Sequence, residues 1–369
     1  MKSVLLGSQS LASISLLSAI ALGVASCNFA QANSNPYETF ADWCAHKEQL
    51  SPEARHTVEV LLEHADTEEC DRADENLNSW PSLVLIDKQI TDVSPLTSLV
   101  NIDHLVLFDN QISDISPLSE MTSLKRLFLK GNQISNVEPL AKLYNLEGLG
   151  LEANQILDVA PLAGLTGLQY LSLGQNQIVS VEPLATLTNL TLLHLEANQI
   201  ESIASLSTLV NLVELRLNNN QIASLEGLAP LENLRWLELY ENQVVSVDSL
   251  STLVNLDYLD LNDNQITSVE SLSSLTNLGG LYLGDNQITS VEPLSTLTNL
   301  DSLELFDNQI VSVEPLSSLL NLWNLDLTGN QIQDVQSLTS LSKLHSLKLG
   351  DNPINDRTCP VQPASICTF

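Results

Sequence analysis

The sequence predicts an α/β protein built as a right-handed solenoid. A curved parallel sheet of about 13 strands forms its concave face, short 3₁₀ or irregular turns form its convex face, and helices cap its N-terminal end. Three observations predict this fold. A 22-residue unit recurs without insertion or deletion, its Leu-x-Leu core has the period of a strand, and its later apolar residues step by three. Such a constant step indicates stacked units.

One asparagine marks each unit and fixes the register of the repeat. It recurs at Asn110, Asn132, Asn154, Asn176, Asn198, Asn220, Asn242, Asn264, Asn286, Asn308, Asn330 and Asn352. Where the chain leaves a strand and turns inward, backbone groups lose their sheet partners, and an amide side chain can both donate and accept hydrogen bonds. We therefore expect a column of buried asparagines along the stack.

Each unit also carries seven apolar positions that one unit alone cannot bury. In the unit around Asn110 they are Ile102, Leu105, Leu107, Ile112, Ile115, Leu118 and Met121. Burial of an aliphatic side chain contributes roughly 1.5–3 kcal/mol before conformational entropy is counted. Stacking of successive units is therefore expected to create one continuous apolar core.

These positions resemble the leucine-rich-repeat family, specifically its 22-residue subclass, to which bacterial internalins and a protein phosphatase regulatory subunit belong. The resemblance covers residues 80–354 and departs from the pattern at Lys88, which replaces the first asparagine, and at Pro353, which replaces a glutamine. It implies recognition of a protein or peptide by the concave face, although a fold alone does not name a ligand.

Residues 1–32 are typical of an export signal, with an apolar run from Leu11 to Val24. Two cleavage sites fit. The segment Val24–Cys27 resembles a lipobox, which would end the signal at residue 26 and leave Cys27 lipidated, whereas Ala30–Ala32 suits ordinary signal peptidase. No later apolar run is long enough to cross a bilayer. We expect a bacterial protein that is secreted, periplasmic or lipid-anchored at the cell envelope.

Two terminal segments are expected to close the ends of the stack at residues 80–354. Residues 33–79 predict a helical cap, because Ser51 and Pro52 form a good helix start. Residues 355–369 predict a C-terminal cap.

Each terminal segment contains a cysteine pair. Outside the signal region the cysteines are Cys44, Cys70, Cys359 and Cys367. We predict Cys44–Cys70 and Cys359–Cys367 disulfides, as export allows. The absence of a C-x₂-C spacing disfavours zinc.

The charge is strongly acidic, at −31 for the whole chain and −32 without the predicted signal, which removes Lys2 and no acid. Such a surface disfavours nucleic acid and anionic lipid as partners. One acidic column lies six residues after the asparagines, at Glu138, Glu182, Glu226, Asp248, Glu270, Glu292 and Glu314. We interpret it as N-terminal capping of the convex turns.

A second acidic column lies one residue before the asparagines. Its members are Asp87, Asp109, Glu241, Asp263, Asp285, Asp307 and Asp351. Because neighbouring strands lie about 4.8 Å apart, Asp263, Asp285 and Asp307 could share calcium. A solvated turn that tolerates Asp and Asn explains the same column without metal.

Aromatic residues concentrate at the positions six, four and two residues before the asparagines, which face outward from the strands. Eight of the eleven aromatics of residues 80–354 occupy them: Phe108, Phe128, Tyr170, Trp236, Tyr240, Tyr258, Tyr282 and Phe306. Strands favour aromatic residues even without a partner, but clustering favours a recognition surface.

We predict a ligand-binding site around the densest group of these aromatics. Its residues are Arg216, Trp236, Glu238, Tyr240, Tyr258, Asp260, Tyr282 and Phe306. A lesser candidate is the basic patch of His104, Arg126, Phe128 and Lys130.

The leading functional hypothesis is a monomeric, non-enzymatic module that binds a protein or peptide on its concave face and needs no cofactor. Two alternatives remain: a regulatory subunit of a signalling enzyme such as a phosphatase, or an envelope carbohydrate-binding or adhesion module. Catalysis is disfavoured, since the single outward-facing histidines, His104 and His194, have no assigned nucleophile.

Overall fold

This computed structural model describes residues 37–369, and a parallel sheet extends from Ser82 to Thr368. The predicted signal at residues 1–32 and the candidate lipidation site Cys27 lie outside the described residues. Within residues 37–369 the sheet has fourteen strands: β1 Ser82–Val84, β2 His104–Val106, β3 Arg126–Phe128, β4 Gly148–Gly150, β5 Tyr170–Ser172, β6 Leu192–His194, β7 Glu214–Arg216, β8 Trp236–Glu238, β9 Tyr258–Asp260, β10 Gly280–Tyr282, β11 Ser302–Glu304, β12 Asn324–Asp326, β13 Ser346–Lys348 and β14 Cys367–Thr368.

The strands lie in chain order, so each repeat pairs with the next one and the sheet stays open rather than closing on itself. The pairing register equals the repeat length, with Leu105 of β2 opposite Leu83 of β1 and Leu127 of β3. Strand positions that are equivalent in sequence therefore lie side by side in space. The predicted fold class is confirmed.

The apolar core follows the seven predicted positions. Leu105 and Leu107 are fully buried on the inner side of the sheet, and Ile112 and Leu118 are fully buried under the return segment. The same positions are buried in successive repeats, which produces one continuous hydrophobic cluster.

The asparagine column satisfies the backbone as predicted. Asn132 accepts at Oδ1 from the Ile112 N–H of the preceding repeat at 3.0 Å. Its Nδ2 donates to the carbonyl oxygens of Leu107 and Leu129, both at 2.9 Å. Since each amide bridges its own repeat and the one before, the column ties neighbouring turns together.

The return segments form short 3₁₀ turns, as the spacing of three predicted. They are Ser94–Ser98, Ser116–Glu120, Glu138–Lys142, Ala160–Gly164, Glu182–Thr186, Ala204–Thr208, Asp248–Leu250, Glu270–Ser274, Glu292–Thr296, Glu314–Ser318 and Gln336–Ser340. The repeat with Gly227 has no such turn, and Gly227 adopts a φ of +105°, where a Cβ would lie 2.7 Å from the Ile203 carbonyl oxygen.

The predicted capping role of the column six residues after the asparagines is wrong. Except for Glu226, whose repeat has no 3₁₀ turn, these residues are the first residues of the turns. Their backbone N–H donates to the side chain two positions earlier. Asn136 Oδ1 accepts from the Glu138 N–H at 2.9 Å, and Ser246 Oγ accepts from the Asp248 N–H at 3.2 Å. Asn, Asp and Ser side chains readily bond the backbone two residues onward, and this explains the difference.

The N-terminal segment contains three helices, α1 Phe40–Ala45, α2 Pro52–Ala65 and α3 Cys70–Asn78. Helix α2 begins as predicted, with Ser51 Oγ accepting from the Ala54 N–H at 3.1 Å. Thr57 of α2 donates to the Asp92 carbonyl oxygen at 2.6 Å, which joins the helix to the first repeat. Helix α3 was not predicted.

Both predicted disulfides are present. Cys44–Cys70 joins α1 to the start of α3, and Cys359–Cys367 lies in the C-terminal segment. That segment also adds β14, and the Leu349 N–H donates to the Thr368 carbonyl oxygen at 2.7 Å. The last repeat strand therefore has a hydrogen-bonded neighbour. Among the helices of residues 37–369, none is long and apolar enough to cross a membrane.

Candidate functional site

We call the asparagines of the buried column the ladder asparagines. The exposed sheet face consists of the side chains six, four and two residues before them. These side chains alternate with buried leucines, for example Trp236 and Glu238 around the buried Leu237. Trp236 keeps 36% of its surface exposed. Because successive side chains of a strand point to opposite faces of the sheet, each repeat contributes one row of exposed side chains to this face.

Three rings on this face form what we call the aromatic cluster: Trp236, Tyr258 and Tyr282. The Trp236 and Tyr258 rings stack in parallel, with centroids 3.8 Å apart and planes at 4°. Tyr282 lies 5.1 Å from Tyr258 in a tilted arrangement. Gly280 makes room for this contact, because a Cβ there would lie 3.0 Å from Tyr282 Cε2 and 3.3 Å from Tyr258 Cδ2.

Charged groups surround the aromatic cluster. The Trp236 indole N–H donates to Glu238 at 2.7 Å, and this bond orients the ring. Arg216 lies 2.6 Å from Glu214 Oε1 and 3.9 Å from Glu238 Oε1. The structure therefore brings three of the predicted residues, Arg216, Trp236 and Glu238, into one connected group, and it adds Glu214, which sequence reasoning missed.

Asp260 is a buried carboxylate in the same row as Glu238, with 9% of its surface exposed. Its Oδ1 accepts from the Asn262 N–H at 3.0 Å, and the Tyr258 hydroxyl donates to Oδ2 at 3.4 Å. Burial raises the pKa of Asp260 to about 6, the Asn262 N–H opposes this rise, and the negative charges of Glu238 and Glu304 add to it. Asp260 therefore titrates much closer to neutrality than an ordinary aspartate.

Two predicted residues lie outside the aromatic cluster. Phe306 covers Gly284 in the preceding repeat, where an added Cβ would collide with the phenyl ring. Tyr240 is half-buried, and burial followed by the nearby charge of Glu238 raises its pKa. Between residues 37 and 369, no ring contact joins Tyr240 or Phe306 to the cluster.

The basic patch around Arg126 and Phe128 also contains neighbouring aromatic rings. Phe128 lies 5.6 Å from His104, 6.1 Å from Phe108 and 6.1 Å from Tyr170, measured between centroids. Arg126 is exposed and, with Phe128 and Tyr170, lines a depression of about 370 Å³. Phe128 is thus part of an aromatic group, whereas Arg126 lies at its rim.

Sequence reasoning missed the polar residues beside this patch. The Tyr170 hydroxyl donates to Glu152 Oε1 at 3.2 Å, and burial, followed by the charge of Glu152, raises the pKa of Tyr170 to about 12. His194 contacts Tyr170 edge to face at 5.6 Å and lies 2.9 Å from Glu214. The available signal was the glycines in the exposed columns, which mark free space but do not indicate which side chain fills it.

The acidic turn column has a backbone explanation. Every residue one position before a ladder asparagine has a positive φ, for example 53° at Asp263, 50° at Asp285 and 70° at Gly131. Gly, Asn and Asp adopt this left-handed conformation most readily. Burial and the charge of Asp263 raise the pKa of Asp285. In the described ranges, no group of three or more His, Cys, Asp or Glu is arranged to hold a metal.

Comparisons with known proteins agree with the repeat architecture. The family described as Leucine Rich repeats (2 copies) matches residues 122–164, 166–208, 188–230, 232–274 and 276–318. No curated protein has significant sequence similarity to the chain.

Solved structures with the same fold include bacterial and plant proteins. The internalin InlF of Listeria monocytogenes is 30% identical, with 84% of this chain and 92% of that chain covered and a TM-score of 0.79. The functional domain of InlJ from the same organism is 20% identical, with coverage of 87% and 77% and a TM-score of 0.67. The ectodomain of the Arabidopsis thaliana receptor kinase GASSHO1/SCHENGEN3, in complex with Casparian strip integrity factor 2, is 24% identical, with coverage of 76% and 36% and a TM-score of 0.66.

Proposed function

The chain belongs to the leucine-rich-repeat family, and on this basis we propose that it is an exported, non-enzymatic scaffold that binds a protein or peptide on its exposed sheet face. The aromatic cluster is the centre of the proposed site. The two disulfides support export, because such bonds persist mainly in oxidising compartments. A stack of the same fold holds a partner in the Arabidopsis complex.

The observation that carries this proposal is the parallel stack of Trp236 on Tyr258. The two ring centroids lie 3.8 Å apart, so each ring restricts the orientation of the other, and Trp236 remains partly exposed to solvent. Rigid aromatic side chains lose little conformational entropy on binding and dominate many interfaces. Glu238 and Asp260 lie beside the rings and add polar groups that can select a partner.

The proposal is tested with the variant Trp236→Ala/Tyr258→Ala. Peptides are first selected on the whole wild-type chain from a random display library, and their dissociation constants are measured by calorimetry. We expect the double variant to bind at least tenfold more weakly, because it removes two aromatic anchors. Its free energy of unfolding is expected to fall by only about 1–2 kcal/mol, because Tyr258 is partly buried and the loss of a stacked aromatic pair costs little more than its burial.

A matched control is available within the chain. Tyr144→Ala/Trp323→Ala also removes one tyrosine and one tryptophan, but both rings lie off the exposed sheet face and are 66% and 51% exposed. This control is expected to bind the selected peptides with unchanged affinity. Equal affinity of wild type and Trp236→Ala/Tyr258→Ala would reject the site. A glycan-array signal that the same variant abolishes, without any peptide binding, would assign the face to carbohydrate.

A further inference from the structure

Three side chains on the exposed sheet face carry oxygen atoms without a hydrogen-bond donor. We call Glu152, Glu196 and Asn218 the acceptor row, because each lies two residues before a ladder asparagine. Within the described part of the chain, Glu152 Oε2, Glu196 Oε2 and Asn218 Oδ1 are buried and unpartnered. Asn218 as a whole is only 6% exposed. An unsatisfied buried acceptor costs about 1–3 kcal/mol, so the two carboxylate oxygens and the amide oxygen favour a ligand that supplies donors.

Glycine shapes the space between the two glutamates. Gly174 occupies the same position in the intervening repeat, and a Cβ there would collide with the Glu196 carboxylate. Glu196 therefore leans over Gly174, in the direction of Glu152. Gly150 gives Glu152 similar room, since its Cβ would lie 3.0 Å from Glu152 Oε2. The Glu196 carboxylate thus occupies the space over Gly174, between its own repeat and the repeat of Glu152.

The negative charge of this pair is only partly offset within the chain, because the Arg216 guanidinium attracts Glu196 without forming an ion pair with it. Of the ion pairs within residues 37–369, none includes Glu152 or Glu196. Arg216 is held by Glu214, with Nη2 only 2.6 Å from Oε1. The Tyr170 hydroxyl is the one described donor to the pair, and it reaches Glu152 Oε1 alone. Two partly buried carboxylates with one neutral donor are incompletely compensated.

We propose that the acceptor row receives one lysine or arginine side chain of the bound protein or peptide, between Glu152 and Glu196. An ammonium group brings three donors and a guanidinium group five, which matches the unpartnered carboxylate and amide oxygens of this row. The Phe128 ring and the Glu152 carboxylate lie side by side over Gly150, and the Tyr170 hydroxyl bonds Glu152. Aromatic rings attract a cation over their faces. The net charge of −31 attracts a basic segment over longer range. This inference rests on the proposed function.

The test compares two glutamate-to-glutamine pairs. Glu152→Gln/Glu196→Gln keeps the shape of the acceptor row and removes its charge. Glu138→Gln/Glu182→Gln removes the same charge at the same two-repeat spacing, but from the convex turns. Random-peptide display is run on the whole chain of each variant and of the wild type, and circular dichroism melting verifies folding.

We expect wild type and the convex control to select peptides with lysine or arginine enriched at one position by at least tenfold over the library. The acceptor-row variant is expected to lose that enrichment. A selected peptide whose basic residue is replaced by norleucine is expected to lose at least tenfold in affinity for wild type, and to show little change for the acceptor-row variant.

Three results would overturn the inference, and they differ from one another. Peptides that lack a basic preference but depend on Trp236 and Tyr258 would reject the cation site and leave the proposed function standing. If no peptide binds to the wild-type chain, both the cation site and the proposed function are rejected. Binding of calcium chloride to wild type and to the convex control, but not to Glu152→Gln/Glu196→Gln, would assign the row to a metal ion instead of a side chain.

Discussion

Replacement of Asn198 by alanine is expected to lower the free energy of unfolding by about 4 kcal/mol. Asn198 Oδ1 accepts from the Ile178 N–H at 2.9 Å. Its Nδ2 donates to the carbonyl oxygens of Leu173 and Leu195 at 3.0 and 3.1 Å. Alanine would leave the Ile178 N–H buried without a partner in the middle of the stack. The Leu173 and Leu195 carbonyl oxygens would each lose one donor and keep the bond from Asn176 or Asn220. Urea unfolding followed by circular dichroism measures the loss, and a broader transition is also expected if the two halves uncouple.

Asn189→Ala is the matched control for this prediction. Asn189 lies nine residues before Asn198 and also bonds one repeat back, from Nδ2 to the Thr166 carbonyl oxygen at 2.8 Å, but it is exposed. Water can replace that bond, so we expect a loss of only about 0.5–1 kcal/mol. If Asn198→Ala and Asn189→Ala lowered the free energy of unfolding equally, the buried asparagines would stabilise the fold no more than exposed ones do.

The fold was predictable because one physical constraint repeats. A short strand must bury its leucines, and the following turn needs an amide for its backbone; Leu105, Leu107 and Asn110 satisfy both requirements in one repeat. Since every repeat has leucines and an asparagine at the same positions, a departure from the pattern at one position does not change the predicted register of the other repeats. Position in the unit therefore predicts burial throughout residues 80–354.

The elements outside the repeat were harder to predict. Helix α3 buries only Ala73 and Leu77, a pair at i and i+4 among polar residues, so its apolar face is narrow. Strand β14 contains two residues and depends on pairing with β13 rather than on any pattern of its own. Neither element has the periodicity that made the repeats recognisable.

The candidate site was predictable as a surface but not in its contacts. The columns identified Trp236 and Tyr258, yet their stacking depends on side-chain torsions that a linear pattern does not encode. Gly174 and Gly280 decide which neighbours lean together, and a missing side chain carries no direct signal of what fills its place. Glu152 and Glu196 were therefore missed, although both occupy the exposed columns.

Asp260→Asn is expected to stabilise the protein by about 2 kcal/mol at pH 7.5 and to change little at pH 4. The pKa of Asp260 is raised from 3.8 to about 6 in the folded state, chiefly by burial. Below pH 4 the Asp260 carboxyl group is protonated in both the folded and the unfolded state, so it does not lower the free energy of unfolding. Between pH 4 and pH 6 the unfolded state ionises first, so stability is lost as pH rises. Urea unfolding at several pH values measures this window.

Asp326→Asn provides a control of opposite sign. Asp326 lies in the same row and also accepts from the backbone two residues on, with the Thr328 N–H 3.1 Å from Oδ1. Lys348 Nζ, however, donates to its Oδ2 at 2.9 Å. Its neutralisation removes an ion pair and is expected to cost about 0.5–1 kcal/mol at pH 7.5. Similar destabilisation of both variants would show that the charge of Asp260 is compensated in the fold.

The expected stabilisation by Asp260→Asn bears directly on binding. An amide can accept the same Asn262 N–H without the cost of a buried charge, so the carboxylate weakens the fold where it stands. Groups that are unfavourable for stability concentrate where a protein uses them on a ligand. We therefore expect Asp260→Asn to bind peptides selected on wild type at least fivefold more weakly at pH 7.5, despite its greater stability. Calorimetry measures the affinity, and unchanged binding would limit the role of Asp260 to packing beneath Tyr258.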